Sequence, residues 1–132
     1  MQVDVVSPEK LLFSSEAVLV EIPGSDGDMT ALANHAPLIT TLRPGILRVV
    51  QEKGASEYVV TGGFAELGET VSVLAEKAVL KADFDREMFD ELVTSAQTAL
   101  DSARANMVGD AVDMAAKSLS DYNTLGENLG FR

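Results

Sequence analysis

The stretch from Gly27 to Gly45, which reads GDMTALANHAPLITTLRPG, decides the fold. Two apolar runs in it flank a short corner that holds the only histidine of the chain, His35. Asn34 tolerates left-handed backbone angles, and Pro37 fixes its own φ and pushes the residue before it toward extended geometry. The stretch therefore predicts a strand, a sharp corner, a second strand and a Pro-Gly turn. His35 lies at the apex of the corner, where sheet proteins usually present recognition residues.

The segments on both sides of this stretch alternate between apolar and polar residues. Alternation is clear at residues 2–6 and 17–22, and Lys53-Gly54 predicts a hairpin between two later apolar runs. Turn residues recur at close spacing, and valine and isoleucine dominate the runs. Strands do not alternate with helices, which argues against a parallel doubly wound sheet. The pattern therefore predicts an antiparallel β-sandwich or flattened barrel over residues 1–83.

The hydrophobic period changes after residue 83. Apolar residues then recur every three or four positions, first as far as Met107 and again from Val112 to Tyr122. This spacing is typical of two amphipathic helices, and the short break between them predicts an antiparallel hairpin. Asp85 is predicted to cap the first helix, with Phe84 and Phe89 at the positions of a hydrophobic staple.

The ends of these two helices are marked by glycines. Gly109 is expected to take left-handed angles at the end of the first helix, and Asp110 to cap the second. Gly126 and Gly130 near the end of the chain predict a frayed tail. The contact faces are rich in alanine, which buries little area, so the hairpin over residues 84–132 is expected to be of modest stability and to need a partner surface.

Composition and charge bound the class of protein. A hydrophobic fraction of 46% suffices for a packed core, and with 5% aromatic residues that core must be aliphatic. The 132 residues contain no cysteine, which excludes disulfides and fits a reducing compartment. No apolar run reaches about 18 residues and no secretory signal is visible, so neither a spanning helix nor export is expected.

The net charge of −11 divides almost equally between the two halves. Residues 1–83 carry −6 and residues 84–132 carry −5. Phosphate backbones and anionic lipid surfaces would repel such a chain, so binding to nucleic acid and direct insertion into a membrane are not expected. A role at a membrane would therefore have to run through a protein partner.

Catalytic and metal-binding motifs are absent from the sequence. There is no Gly-x-Ser-x-Gly, no phosphate-binding Gly-x-x-x-x-Gly-Lys and no cysteine nucleophile. A single histidine excludes a histidine cluster for zinc, and Asp26 and Asp28 lack the spacing of a calcium loop. An independent enzyme is therefore disfavoured, and neither a metal site nor an obligatory cofactor is expected.

Five segments together resemble the epsilon subunit of F-type ATP synthases. They read NHAPLIT at 34–40, LRPG at 42–45, GGFAE at 62–66, VSVLA at 71–75 and VDVVS at 3–7. The resemblance covers about the first 83 residues well, and the helical half agrees in kind. It implies a non-catalytic subunit of the central stalk that binds the gamma subunit, sits on the c-ring and couples rotation to ATP synthesis. Its place would be the cytoplasmic face of the bacterial inner membrane.

The resemblance also implies which residues face the ring. In the epsilon family the loops that match Asp28 and His35 lie at the end of the sandwich facing the ring. Carried over to this sequence, Asp28, Met29, Asn34 and His35 become candidates for contact with the c-ring. The competing interpretation is that these residues only build the turns.

A second motif, LDSARA at 100–105, matches the ATP-binding motif of some bacterial epsilon subunits. Arg104 would hold a phosphate and Asp101 would accept a hydrogen bond from the adenosine. ATP-binding relatives add further arginines on the hairpin, whereas the second helix here offers only Lys117. A surface ion pair between Asp101 and Arg104 is therefore the favoured interpretation, and ATP is a doubtful ligand.

The charge of the second helix bears on inhibition of ATP hydrolysis. In many bacterial relatives the hairpin opens, and basic side chains of this helix approach an acidic segment of the beta subunit. The helix here carries Asp110, Asp113 and Asp121 against Lys117, a net charge of −2. Like charges would meet, so only a transient contact with the alpha and beta subunits and weak inhibition are expected.

Two alternatives of other classes stay open on sequence grounds. The first is a free-standing nucleotide-sensing module that binds ATP through the hairpin. The second is a generic adaptor that uses the edge of its sandwich to bind a peptide.

Overall fold

The computed structural model describes residues 1–131 and consists of ten strands followed by two helices. The strands are β1 Gln2–Val6, β2 Leu11–Glu16, β3 Leu19–Gly24, β4 Gly27–Leu32, β5 Leu38–Thr41, β6 Gly45–Gln51, β7 Gly54–Val60, β8 Gly63–Leu67, β9 Val71–Ala75 and β10 Ala78–Leu80. A single 3-10 turn, Lys81–Asp83, leads to the helices α1 Arg86–Ala105 and α2 Gly109–Leu129.

The ten strands form two five-stranded sheets. The first sheet has the order β2-β1-β9-β8-β5, and the second has the order β10-β7-β6-β3-β4. Neighbouring strands are antiparallel except β1 and β9, which are parallel. The predicted fold class, a β-sandwich followed by a helical hairpin, is confirmed.

The core between the sheets is aliphatic, as the scarcity of aromatic residues predicted. Alternate residues of each strand point inward, which is why Val3 and Val5 of β1 are fully buried while Asp4 is not. The other fully buried members include Val20, Leu47, Val49, Val60, Ala65, Val71 and Val73. Every member of this cluster lies between residues 3 and 78, so the strands complete a core of their own.

The corner after β4 carries the chain from one sheet to the other. β4 belongs to the second sheet and β5 to the first, so residues 33–37 bridge the two layers. Asn34 has φ 62°, which confirms the predicted left-handed position. The corner is therefore one of the connections by which the chain crosses between the two sheets, together with those after β2, β5, β7 and β9.

A junction just beyond β5 ties the two sheets together. The amide of Leu42 donates to the carbonyl of Gly63 over 2.9 Å, and Leu42 also forms a bridge with Gly24 of β3. The amide of Arg43 donates to the carbonyl of Pro23 over 3.0 Å. The end of β3 and the start of β8 thus meet the chain just beyond β5, at Leu42 and Arg43.

The chain divides into two compact units between Asp83 and Phe84.

The start of α1 has the cap and the staple that the sequence predicted. The Asp85 side chain accepts a hydrogen bond from the amide of Met88 over 2.9 Å, which satisfies one of the free donors of the first turn. Both staple residues are buried: Phe89 is completely buried, and Phe84 is 7% exposed.

The turn between the helices corrects two predictions. The left-handed residue is Met107, with φ 55°, and Gly109 is instead the first residue of α2. The residue that caps α2 is Val108, which makes no side-chain cap, so Asp110 does not have the predicted role. The reason is that α1 ends at Ala105, which puts the left-handed position two residues before the glycine.

The predicted frayed tail is also wrong. α2 continues to Leu129, with Leu125 and Gly126 buried within it. Gly130 takes φ 80° and closes the helix, and the amide of Phe131 donates to the carbonyl of Gly126 over 2.7 Å. The two glycines thus serve close packing and a left-handed cap rather than disorder.

Gly63 should tolerate no side chain. Its φ is +108°, and a Cβ there would lie 2.0 Å from the carbonyl oxygen of Leu74. We expect Gly63→Ala to lower the free energy of unfolding by about 3 kcal/mol or more, or to prevent folding, in denaturant titrations. Gly68→Ala is the matched control, because a Cβ at Gly68 meets nothing within 4 Å. Similar losses in the two variants would contradict this account of β8.

Candidate partner-binding surfaces

An apolar row crosses the outer face of the first sheet. Directly paired residues of adjacent strands share a face, and the pairs Phe64–Leu74, Leu74–Val6 and Val6–Leu11 follow one another across β8, β9, β1 and β2. Phe64 is 41% exposed, Leu74 37% and Leu11 59%. We call these four residues the apolar row, and their exposure on one sheet face is typical of a protein-binding surface.

A shallow cleft of about 450 Å³ lies beside the apolar row. Its walls are the end of β1 with the following Ser7-Pro8, and the paired segments of β8 and β9; they comprise Val6, Ser7, Pro8, Gly63, Phe64, Leu74, Ala75 and Glu76. Glu76 is the charged residue of this lining. The cleft therefore suits an apolar side chain of a partner better than a polar ligand.

A polar row runs parallel to the apolar row, one pleat away. It contains Glu66, Ser72, Asp4 and Ser14, which are paired in that order across the sheet. Asp4 accepts hydrogen bonds from the Ser14 hydroxyl over 2.6 Å and from the Gln2 amide over 3.1 Å. These bonds, that of Ser14 first, hold the pKa of Asp4 below its ordinary value.

The four residues predicted to face the ring fall into two pairs. Asp28 and Met29 lie at the start of β4, while Asn34 and His35 lie in the corner beyond its end. Four residue steps of extended strand, about 13 Å, separate Asp28 from Leu32, so the pairs do not form one cluster. β4 is the edge strand of the second sheet. A partner that touches both pairs must therefore lie along this edge.

The two pairs differ in their own contacts. The Asp28 carboxylate is paired with the Arg43 guanidinium, which also donates to the carbonyl of Gly24 over 2.6 Å. Arg43 thereby fastens the turn between β3 and β4. His35 is half-buried, and its Nδ1 lies 2.6 Å from the carbonyl of Ala36, to which it donates.

Asp101 and Arg104 are both exposed on the last turns of α1. The Asp101 carboxylate accepts a hydrogen bond from Gln97 over 3.0 Å. Among residues 1–131 it forms no ion pair with Arg104, so the surface ion pair favoured on sequence grounds is wrong. The carboxylate instead bonds to a side chain one turn earlier on the same helix face, at the i, i+4 spacing.

α2 presents an acidic surface. The helix contains Asp110, Asp113, Asp121 and Glu127 against Lys117, a net charge of −3. Glu127 joins this count because the helix continues past the predicted tail. Lys117 is itself paired with Asp121, with 3.1 Å between Nζ and Oδ2. The only cation of this helix is therefore already engaged.

Sequence reasoning missed the apolar row. The sequence does contain a sign of this row. Val6, Phe64 and Leu74 are apolar, although they occupy the strand positions that alternate with the buried core residues and so point away from the core. Alternation alone does not tell which face is inside when both faces carry apolar residues. Only the pairing of β1 with β9, residues far apart in sequence, aligns these positions into one row.

Neither helix in the described part of the chain is long and apolar enough to cross a membrane. Residues 1–131 also contain no group of three or more histidine, aspartate or glutamate side chains placed to hold a metal ion.

Comparisons with known proteins agree with this architecture. The family of the ATP synthase delta/epsilon chain, beta-sandwich domain, matches residues 1–81. The ATP synthase epsilon chain of Fuscovulum blasticum is 50% identical over 132 residues, covering 99% of this chain and 97% of that protein.

Two solved structures share the fold. A chain of the Euglena gracilis mitochondrial ATP synthase, solved as OSCP/F1/c-ring, has a TM-score of 0.72 at 24% identity and covers 96% of this chain and 79% of that chain. A chain of the Tetrahymena thermophila mitochondrial ATP synthase central stalk and c-ring has a TM-score of 0.56 at 14% identity, with coverages of 89% and 95%.

These matches define the class as a subunit of an ATP synthase. The chain belongs to the ATP synthase delta/epsilon family, on the match to its sandwich domain and on the identity to an epsilon chain. It is accordingly a non-catalytic subunit.

The hydrogen bonds to Asp4 should be visible in its titration. A depressed pKa contributes stability above the pKa of the unfolded chain, and this contribution is lost as the pH falls through the folded pKa. We expect Ser14→Ala to raise the pKa of Asp4, measured by NMR of the carboxyl carbon, more than Gln2→Ala does. It should also destabilise the protein near neutral pH, and this difference from the parent should disappear as the pH falls through the folded pKa of Asp4. An unchanged pKa in Ser14→Ala would contradict the assigned cause.

Proposed function

We propose that the chain is the epsilon subunit of the central stalk of a proton-translocating F-type ATP synthase. It binds the gamma subunit and the c-ring and couples rotation of the ring to ATP synthesis in the catalytic head. The observation that carries this proposal is the 50% identity to an epsilon chain over almost the whole length of both proteins. That relative is bacterial, which supports a position at the cytoplasmic face of the inner membrane.

The gamma subunit is proposed to cover the apolar row. A rotating stalk transmits torque, so its subunits need a broad and firm contact rather than a few flexible ones. The row offers Phe64 and Leu74 as large apolar anchors and a cleft of about 450 Å³ beside them. Buried apolar anchors of this kind dominate the binding energy of protein interfaces.

The c-ring is proposed to lie along the edge of β4. This position brings both candidate pairs, Asp28 with Met29 and Asn34 with His35, to one partner surface. Support comes from the place of β4 at the edge of its sheet and from the exposure of Asp28, whose side chain is 82% accessible. Binding there would have to keep or replace the ion pair between Asp28 and Arg43.

The alternative function, a nucleotide-sensing module, has less support. Its candidate Asp101 is bonded to Gln97, and α1 offers Arg86 and Arg104 as its only basic residues. These two arginines lie 18 positions apart, at the two ends of the helix, so a single guanidinium would face three phosphates.

A charge in the apolar row should break the contact with gamma. We expect Phe64→Glu to reduce recovery of the gamma subunit with tagged protein at least tenfold, because a carboxylate would be buried against an apolar partner. Leu80→Glu is the control, since Leu80 is 43% exposed but lies on β10 of the other sheet. Circular dichroism should be unchanged in both variants. Equal loss of gamma from both, or from neither, would remove the row as the gamma contact.

The subunit should inhibit ATP hydrolysis weakly. α2 carries a net charge of −3, so its approach to an acidic segment of the catalytic head would be repulsive. We expect the ATPase rate of the purified head to be the same with the full chain and with the fragment of residues 1–83. A several-fold lower rate with the full chain would contradict this. The triple variant Asp110→Lys/Asp113→Lys/Glu127→Lys, which replaces three acidic residues of α2 by lysine, is expected to inhibit ATP hydrolysis more than the unmodified chain.

A further inference from the structure

The turn between β3 and β4 contains the only aspartate of the chain that is followed by a glycine, Asp26 before Gly27. Every other aspartate is followed by a residue that has a side chain. The backbone nitrogen of the next residue can attack an aspartyl side chain, and a glycine leaves that nitrogen open because it has no Cβ. This dipeptide is therefore the place in the sequence where an aspartate is most open to rearrangement by its own backbone.

The structure leaves this dipeptide free at the tip of the turn. Both residues are exposed. Within residues 1–131 the Asp26 carboxylate forms no hydrogen bond and no ion pair, so no side-chain contact has to break before it turns toward the backbone. Gly27 has a φ of +137°, and a Cβ there would meet nothing within 4 Å. The space beside the Gly27 backbone is therefore open.

The residues on both sides of the dipeptide are held in place. Before it, the amide of Ser25 donates to the carbonyl of Thr41 over 2.9 Å, and the two hydroxyls are bonded over 2.7 Å. After it, the Asp28 carboxylate is paired with the Arg43 guanidinium, which also donates to the carbonyl of Gly24 over 2.6 Å. Arg43 therefore connects the two arms of the turn across its base.

We propose that Asp26 is a site of spontaneous isomerisation to isoaspartate, and that Arg43 slows this reaction by holding the turn closed. The Gly27 nitrogen must approach Cγ of Asp26, which requires the peptide between the two residues to rotate. That rotation loosens the pairing of Gly24 with Gly27, and the bonds of Arg43 to Gly24 and Asp28 oppose it. The proposal concerns the chain itself and does not depend on the proposed function.

The reaction has two steps, and its atoms balance. In the first, the Gly27 nitrogen bonds to Cγ of Asp26, and the amide proton leaves with the carboxyl hydroxyl as water, which gives a five-membered succinimide. In the second, water adds to one of the two ring carbonyls. Cleavage between the nitrogen and the main-chain carbonyl carbon gives isoaspartate, in which the chain runs through the side chain, whereas cleavage at Cγ restores aspartate. The mass is unchanged overall, and the reaction needs no oxidant or reductant.

The product would not fit the turn. It adds one carbon to the main chain inside a turn of two residues, so Gly24 and Gly27 could no longer pair in the same register. The chain beyond the turn would shift, and Asp28 would lose its ion pair with Arg43. No member of the buried core cluster lies at residues 23–30, so the sandwich itself should stay folded.

The test follows isoaspartate in the full-length protein during incubation at neutral pH. Mass spectrometry of its peptides with electron-transfer fragmentation distinguishes isoaspartate from aspartate, which has the same mass. In the parent chain, isoaspartate should form at position 26 at least about tenfold faster than at Asp101, which precedes a serine. Asp101 is the internal comparison because it lies within α1, where the following amide is held in the hydrogen bonds of the helix.

Substitutions of the arginines test the restraint. Arg43→Ala removes the bonds to Gly24 and Asp28, so isoaspartate at position 26 should form about fivefold faster or more. Arg48→Ala is the matched control, because it removes a guanidinium of the same sheet that pairs with Glu21 outside the turn, and it should behave as the parent. Circular dichroism should be unchanged in both variants. Asp28→Asn removes only the ion pair and should give a rate between those of the parent and Arg43→Ala.

Two results would overturn the proposal. The first is isoaspartate at position 26 that forms no faster than at Asp101 in the parent chain. The second is a rate in Arg43→Ala no higher than that in Arg48→Ala, which would mean that Arg43 does not restrain the turn. If Arg43→Ala does not fold, Asp28→Asn decides the second point, and a rate equal to that of the parent would overturn the restraint.

Discussion

The sandwich depends on the close approach of the β8 backbone to β9 at Gly63. No side chain fits between Gly63 and the Leu74 carbonyl, so only glycine lets the two strands pair at this point. The Gly63 carbonyl accepts from Leu42, which bridges to Gly24 in the other sheet. The next residue, Phe64, begins the apolar row. One position without a side chain therefore supports a strand pair, the junction of the sheets and the candidate gamma surface.

The two outer faces of the sandwich differ in the free energy of desolvation that a bound partner would cause. On the second sheet, Glu21 and Glu57 face Arg48 from the two neighbouring strands, and Lys81 lies 3.6 Å from Glu57. Covering these partly exposed charges would remove their water, a cost that ion pairing repays incompletely. Covering the apolar row removes water from Phe64 and Leu74 at a gain. Solvation alone thus favours the first sheet as the face that another subunit covers.

Local sequence patterns predicted the strands and helices of this fold but not which strands pair or in which register. The alternation of residues 2–6, the left-handed Asn34 and the cap at Asp85 each depend on neighbours in sequence, and each was predicted correctly. The apolar row depends on the pairing of β1 with β9, some 70 residues apart, and no local pattern contains that information. The same limit applied to the ring candidates, because the direction of β4 decides that Asp28 and His35 lie at its opposite ends.

The errors in the helical half have a common origin in chain reversals. Gly109 and Gly130 are both glycines near helix ends, yet only Gly130 takes left-handed angles. The position of the left-handed residue is set by where the last hydrogen-bonded turn of the helix ends. After α1 that residue is Met107, two positions before the glycine that residue type alone suggests. The contact of the Phe131 ring with that of Phe89 was missed for a related reason, since it exists only once α2 has folded back over its full length.

Each of the two compact units holds one of the two tyrosines, and tryptophan is absent. Tyr58 lies in the core between the sheets with 4% exposure, and Tyr122 lies on α2, half-buried. Tyrosine emission of the chain therefore comes from one residue in each unit. Replacing either tyrosine by phenylalanine leaves a single tyrosine, so the melting of the sandwich and that of the hairpin can be followed separately in the intact protein, without any added dye, when tyrosine is excited selectively.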